Sequence, residues 1–294
     1  MKRTGLIAIV GRPNVGKSTL LNSILGERIA IVSSKPQTTR NRIAGIETRG
    51  EDQFVFLDTP GIFKPKNSLG DFMVKTANST MQDGDAVILV ADASYAPGEV
   101  EQGVVKYLKQ SGVPCILALN KVDLCRREKL AETITAYAAL HDFFAVVPIS
   151  AKKGKYVGEL LDECAKLLHE GEWFYDEDEI TDQPQRQIAA EIIREKILRT
   201  LDKEIPHGVA VVIEEYAVED GLVRIRAEIF CEKASHKGIL VGKDGETLKR
   251  IGSYARDDLE KMLDYKVYLN LWVKVKENWR DSQTQVLNFG YSED

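Results

Sequence analysis

Gly11-Arg12-Pro13-Asn14-Val15-Gly16-Lys17-Ser18 stands between two patterned segments. Ahead of it, Leu6-Ile7-Ala8-Ile9-Val10 is an apolar run that reads as a buried strand. Behind it, Thr19-Leu20-Leu21-Asn22-Ser23-Ile24-Leu25 has helical apolar spacing and closes at Gly26. The octet fits G-x-x-x-x-G-K-[ST], a phosphate-binding loop. A strand-loop-helix turn aims backbone N–H groups and a helix N-terminus at one point, which makes an anion site. Gly11 and Gly16 let the backbone wrap phosphate oxygens. Lys17 can reach β- and γ-phosphates, and the Ser18 hydroxyl can ligate Mg²⁺.

The chain has 294 residues, which suits one large domain or two ordinary ones. Hydrophobic residues make up 44% and charged residues 29%, the balance of a water-soluble globular protein. The net charge of -5 does not favour nucleic acid overall, so any nucleic-acid site must be a local patch. Cys115, Cys125, Cys164 and Cys231 are dispersed, without C-x-x-C spacing, and read as reduced packing residues. No apolar run is long enough to span a membrane, and the stretch after Met1-Lys2-Arg3 is too short for a signal peptide. The expected location is cytoplasmic.

Strand-like runs at 6–10, 43–49, 53–57, 86–91, 114–119 and 145–149 alternate with helix-like runs at 17–25, 69–81, 99–110, 126–140 and 156–169. The expected fold is a doubly wound α/β domain, mostly parallel, with one antiparallel hairpin about Gly50-Glu51-Asp52. This first domain is placed at 1–171. An acidic, aromatic stretch over 172–186 reads as a solvated linker whose aromatics could dock on either neighbour. The pattern restarts over 187–294 as a smaller α+β module in the order α-β-β-α-α-β, with Glu219-Asp220-Gly221 as a hairpin turn. Ser282 to the end reads as a frayed helix and tail.

Four segments belong with the phosphate loop, and each falls after a strand or in the loop it needs. Asp58-Thr59-Pro60-Gly61 offers a carboxylate that can hold Mg²⁺ through a water and a Gly61 N–H for a γ-phosphate. Asn120-Lys121-Val122-Asp123 and Ser150-Ala151-Lys152 follow buried strands. Thr38 and Thr39 lie in a polar loop. Ligands bind at the carboxyl ends of strands in open α/β sheets. N-K-x-D specifies guanine: Asp123 can accept from N1–H and the 2-amino group, and adenine offers neither.

With these motifs in place, the chain closely resembles the bacterial Era family of P-loop GTPases over nearly its whole length. GRPNVGKS, QTTR, DTPG, NKVD and SAK carry the resemblance, with a single C-terminal G-x-x-G domain. The related Der family has two GTPase domains in tandem, and this chain has one. The resemblance implies that GTP is hydrolysed to GDP and phosphate at a site built from Gly11 to Ser18 with Thr19, Asp58 to Gly61, Asn120, Lys121, Asp123 and Ser150 to Lys152. Ser18 and one of the threonines, most readily Thr39, would ligate Mg²⁺, with Asp58 orienting a metal-bound water. Lys17, Thr39 and Gly61 would carry catalysis. Asn120 and Asp123 would read guanine, the Lys121 stem would cover it, and the Ala151 N–H would meet its O6. Ras-like GTPases orient the attacking water with a glutamine after D-x-x-G. Here that position is Ile62, a replacement that Era-like GTPases share, so intrinsic hydrolysis should be slow. Arg40 and Arg42 read as a solvated loop. Asn14 is a candidate ligand for K⁺ and equally a turn residue.

Gly242-Lys243-Asp244-Gly245 lies between two helix candidates of the second domain. A lone G-x-x-G is weak, but the α-β-β-α-α-β order is that of a type II KH domain, whose loop clamps four nucleotides of single-stranded nucleic acid. Lys233, Lys237, Lys243, Lys249 and Arg250 outweigh Asp244 and Glu246 around it, a local phosphate-binding patch. Asp244 should face solvent. The Era resemblance implies that the partner is the 3′ region of 16S ribosomal RNA and the task small ribosomal subunit assembly, with no stable homo-oligomer required. Peripheral contact with the inner face of the membrane, as a regulatory GTPase, is a rival reading. An RNA-binding scaffold with a structural nucleotide site is another.

Overall fold

The computed structural model describes residues 1–33, 35–201, 205–219 and 221–292. The chain divides into two compact units. Unit 1 is Met1–Pro65 with Phe72–Asp182, and unit 2 is Gln183–Asp294 with Lys66–Asp71.

The first part of the chain runs β1 (Arg3–Val10), α1 (Lys17–Leu25), β2 (Ile43–Arg49), β3 (Asp52–Asp58), α2 (Ser68–Asp83), β4 (Ala86–Asp92), α3 (Glu99–Ser111), β5 (Cys115–Asn120), α4 (Arg127–Ala138), β6 (Ala145–Pro148), α5 (Val157–Ala165) and a two-residue β7 (His169–Glu170). The sheet order is β2-β3-β1-β4-β5-β6, with β7 on β1. Along that path only β2 and β3 pair antiparallel; the other neighbours are parallel. This is the mostly parallel, doubly wound sheet that the alternation predicts. Strands buried on both faces read as unbroken apolar runs, and Ala86–Ala91 is such a run. Ile7, Ile9, Ile88 and Val90 face a core layer with α1 and α5. Ala8, Val10, Val87 and Leu89 face the other, with α3 and α4. Consequently the strand ends that follow β1, β3, β5 and β6 open on one edge of the sheet.

Of the segment 172–186 expected as a solvated linker, the part from Phe174 to Thr181 is instead bound along β2 and β3, its Tyr175 docked as the aromatic reading allowed, and Gln185 already begins the next helix. Gln53 is fully buried, and its amide accepts from Phe174 N at 2.9 Å and donates to Tyr175 O at 2.9 Å. The Ile46 N–H donates to Ile180 O at 2.9 Å, and Thr181 Oγ1 donates to Ala44 O at 2.7 Å. Tyr175 packs on Ala44, Val55 and Leu57. The stretch covers the free edge of β2, where unpaired backbone groups would otherwise face water.

Unit 2 holds α6 (Gln185–Thr200), β8 (Ala210–Glu219), β9 (Leu222–Cys231), α7 (Ala234–Val241), α8 (Glu246–Leu263), β10 (Lys266–Val275) and α9 (Gln283–Asn288). The order α-β-β-α-α-β is the expected one. Its sheet runs β10-β9-β8, with β9 antiparallel to β8 and parallel to β10. Asp220 of the expected hairpin turn lies outside the described residues. One face of the sheet is a core: Val223, Ile225, Ala227 and Ile229 alternate inward on β9 and meet Ile193 and Ile197 of α6 and Ile251, Ala255 and Leu259 of α8.

The C-terminal stretch, expected to be frayed from Ser282 on, is packed over its described residues, which end at 292. Trp279 is fully buried and donates from Nε1 to Gly208 O at 3.0 Å. Phe289 lies 4.6 Å from the Phe230 ring and 5.1 Å from Trp279, and Tyr291 stacks on Trp279. Three aromatic side chains spaced outside any helical period carry no amphipathic signal, so the sequence pattern understated this packing.

Candidate functional site

The loop between β1 and α1 is held by its glycines. Gly16 sits at φ 101°, and a Cβ there would stand 2.3 Å from Asn120 Nδ2. Only glycine reconciles that backbone with that approach. Lys17 is buried, and its Nζ donates to Gly11 O at 3.2 Å and Arg12 O at 3.0 Å. Burial pulls its pKa down to about 8, opposed by the Asp58 carboxylate. The ammonium is thus tethered in the loop with its hydration removed.

Asp58, at the end of β3, is fully buried beside it. Its Oδ2 accepts from Ser18 Oγ at 2.6 Å and from Thr39 Oγ1 at 3.5 Å. Ser18 Oγ and Thr39 Oγ1 are 2.8 Å apart. Thr38 points elsewhere and donates to Lys35 O at 2.8 Å. Of the two threonines, then, Thr39 joins the cluster. Asp58 Oδ1 is buried without a hydrogen-bond partner. Burial raises the Asp58 pKa to about 6, against the pull of Lys17 and the two hydroxyls. An all-oxygen set with one buried, under-satisfied carboxylate oxygen fits a hard divalent cation such as Mg²⁺. Thr59 does not join: it is fully buried and donates to Ile9 O at 2.8 Å, turned into the sheet. The Ile62 N–H donates to Gly11 O at 3.0 Å, which ties the D-x-x-G turn to the phosphate loop.

Asn120, at the end of β5, is a tie between motifs. Its Nδ2 donates to Val15 O at 2.8 Å, and its Oδ1 accepts from Lys121 N at 2.8 Å and Ala151 N at 2.9 Å. The Ala151 N–H, expected on guanine O6, is engaged by Asn120 here. Asp123 lies in the short helical turn that follows β5. Its Oδ1 accepts from Ser150 Oγ at 2.6 Å, and Lys153 stands 3.6 Å from Oδ2. The Ser150 hydrogen bond holds the carboxyl below its usual pKa. Lys121 Nζ donates to Asn14 O at 2.8 Å and stands 2.9 Å from Asp92 Oδ2, which ties the N-K-x-D loop to the phosphate loop. Asn14 is exposed at φ 64°, the conformation of a turn residue. Lys152 is exposed.

Two features escaped the sequence reading. The Arg12 side chain turns to α3: its Nη2 donates at 2.6 Å to Oε2 of Glu101, which also accepts from Gly98 N at 2.9 Å. Arg40 is buried, whereas Arg42 is exposed. Neither has a motif signal, because both depend on packing across the fold.

In unit 2, Gly242 (φ 76°), Asp244 (φ 51°) and Gly245 (φ 81°) form the turn between α7 and α8. A Cβ at Gly242 would lie 2.3 Å from Thr247 Oγ1. Lys233, Lys237, Lys243, Lys249 and Arg250 are all exposed around this turn, and so is Asp244. Ile239 of α7 stands 49% exposed beside it, an apolar surface next to cations. His236 is half-buried, with Nδ1 enclosed and unpartnered.

Residues 6–121 match the sequence model of a family described as 50S ribosome-binding GTPase, and residues 204–280 match that of the KH domain. GTPase Era of Ruminiclostridium cellulolyticum is 49% identical over 290 residues, covering 98% of this chain and 97% of that protein. GTPase Era of Clostridium kluyveri is 49% identical over 292 residues, 99% and 100% of the two chains. A crystal structure of Era in complex with MgGDPNP and nucleotides 1506–1542 of 16S ribosomal RNA superposes with a TM-score of 0.96 at 39% identity, covering 99% of this chain and 100% of that one. A variant of Aquifex aeolicus Era bound to GDP and aluminium fluoride gives 0.95 at 39% identity, covering 99% of each chain. A phosphate loop at the end of β1 and a KH turn, in a chain this similar to those proteins from end to end, have one home: the protein is a GTP-hydrolysing enzyme and belongs to the Era family of GTPases.

Proposed function

We propose that the protein is a GTP-driven switch that binds single-stranded RNA through its KH turn and acts in small ribosomal subunit assembly, on the 3′ region of 16S ribosomal RNA. The single observation that carries the RNA reading is the Gly242–Gly245 turn, two glycines of positive φ ringed by exposed lysines and Arg250. A relative of the same length and fold has been crystallised with 16S nucleotides, which supports the choice of RNA.

In this reading Asp123 selects guanine, aligned by Ser150, and Asn120 keeps the base site and phosphate loop in register. Ser18 and Thr39 hold the Mg²⁺, with Asp58 behind them. The metal, when bound, neutralises phosphate charge. Lys17 meets the β- and γ-phosphates as a cation already stripped of water, so its field acts at low dielectric. The Ile62 side chain cannot hydrogen-bond a water. Hydrolysis rests on Lys17 and backbone N–H groups, which fits a slow intrinsic rate.

The test is Gly242→Asp with Gly245→Asp, which places bulk and negative charge where phosphates pass. RNA affinity should fall at least about 10-fold, because each lost charge-assisted contact is worth roughly 1.5–3 kcal/mol. GTP affinity should survive, since the nucleotide site has its own core. Full RNA binding by a folded double variant would refute the clamp.

A further inference from the structure

Thr39 and Gly61 belong to two loops that line one cavity above the phosphate loop, and the first of these loops carries an unspent side chain. Of Gln37-Thr38-Thr39, Thr38 donates to Lys35 O, and Thr39 closes on Ser18 and Asp58. Among the described residues no hydrogen bond engages the Gln37 amide. Yet Gln37 is half-buried and lines the same small cavity, about 50 Å³, as Pro13, Lys17, Ser18, Thr39 and Gly61.

The backbone at this residue is unusual. Gln37 sits at φ 61°. A glutamine in the left-handed region is strained, and such strain persists only where the surrounding structure imposes it. The loop is held on both sides of the residue. Before it, Asn22 Nδ2 donates to Ala30 O at 2.7 Å and Asn22 Oδ1 accepts from Ala30 N at 3.0 Å. After it, Thr39 is fixed at Ser18 and Asp58.

Hydrolysis needs a water held in line with the breaking bond. Lys17 and the backbone N–H groups stabilise charge, but they are donors and cannot accept a proton of that water. The Ile62 side chain offers neither donor nor acceptor. A carboxamide has both parts: Oε1 accepts and Nε2 donates. In Ras-like GTPases the amide comes from the loop after D-x-x-G. Here the loop that shares the cavity with Gly61 carries one instead.

We propose that Gln37 is a catalytic residue of GTP hydrolysis and supplies the water-orienting amide that position 62 lacks. Its Oε1 accepts from the attacking water, and its Nε2 donates to a γ-phosphate oxygen. The water oxygen bonds to the γ-phosphorus while the bond from that phosphorus to the β–γ bridging oxygen breaks. The bridging oxygen keeps the electron pair and leaves with GDP. The water proton passes to an oxygen of the released phosphate, and Gln37 takes up none. An amide orients the water without acting as a base, which agrees with a slow intrinsic rate.

Single-turnover hydrolysis by the full chain at saturating Mg²⁺ tests this. Gln37→Gly removes the amide and relieves the backbone. Gln37→Met keeps the length of the side chain and removes its hydrogen bonds. Each should hydrolyse GTP at least about 10-fold more slowly, where loss of one preorganised donor costs up to ~10²–10³-fold. GDP affinity and melting temperature should not change, because neither depends on a water at the γ-phosphate. GDP with aluminium fluoride imitates the attacked phosphate, and both variants should hold that complex at least about 10-fold less tightly than the wild type. A wild-type rate in Gln37→Met would overturn the role even if Gln37→Gly is slow, since the loss would then belong to loop freedom. Equal weakening of GDP and of the aluminium fluoride complex would overturn it too, by assigning Gln37 to nucleotide binding.

Discussion

Asp58 and Lys17 are both fully enclosed, and burial works against the charge of each. It lifts Asp58 from 3.8 to about 6 and lowers Lys17 from 10.5 to about 8. Nucleotide binding with Mg²⁺ needs the carboxylate ionised and the ammonium protonated. Below pH ~6 the cluster must first lose a proton from Asp58, and above pH ~8 it must gain one at Lys17. Affinity for a fluorescent GDP analogue, titrated at saturating Mg²⁺ from pH 5 to 9, should be level between those values and fall on both sides. Asp58→Asn should bind more weakly and lose the acid limb. A wild-type profile flat down to pH 5 would mean that the metal site does not use this carboxylate. The residue types here were readable from motif spacing, since each strand end has a fixed chemistry. Which threonine joins Asp58, and where Thr59 points, were not: adjacent residues face different ways according to the loop's path, and composition does not encode that path.

The phosphate loop is braced from outside by α3. Glu101 is 4% exposed, caps its own helix through Gly98 N and holds Arg12, whose carbonyl in turn holds Lys17. Glu101→Ala should free Arg12 and leave Gly98 N without its acceptor. Arg12 is 42% exposed, so part of the pair's value is screened by solvent. We expect GDP to dissociate about 10-fold faster, or ~1.4 kcal/mol, with Glu101→Gln recovering most of it because the amide still accepts from Gly98 N. Stopped-flow release of a labelled GDP measures this; equal rates in all three proteins would assign the pair to stability alone. At the other end of the chain, Trp279→Ala removes a fully buried indole. It should destabilise unit 2 by about 3–5 kcal/mol, lowering its melting temperature and RNA binding while GTP binding persists. The strands and helices were legible because core faces leave periodic signals. The edge-covering stretch after Trp173 was not, since it binds β2 and β3 largely through backbone groups and Gln53, and backbone hydrogen bonds have no sequence signature.

At the scale of the molecule, a nucleotide site and an RNA site share one chain. Both were legible because each rests on glycines whose conformation few other residues adopt. Their communication is a matter of linkage. In the proposed reading Gly61 senses the γ-phosphate, and the chain from Lys66 to Asp71, a few residues on, groups with unit 2. The backbone that GTP would order is thus covalently continuous, within a few residues, with backbone that belongs to the RNA-binding unit. GTP ordering the loops at Thr39 and Gly61, and hydrolysis releasing them, is a known form of switch. A ligand shifts such an equilibrium only by its differential affinity for the two states. If GTP tightens RNA binding, RNA must tighten GTP binding by the same factor. We expect RNA to bind more tightly with a non-hydrolysable GTP analogue than with GDP, by about 5- to 150-fold, or 1–3 kcal/mol. The measurement is RNA affinity in the two nucleotide states at fixed salt and Mg²⁺, with the reciprocal titration of nucleotide at saturating RNA. Unequal factors in the two directions would signal a third species, such as an RNA-induced oligomer. Identical RNA affinities in both states would leave two tethered but independent sites, and the phosphate sensor would then have to act on something other than RNA.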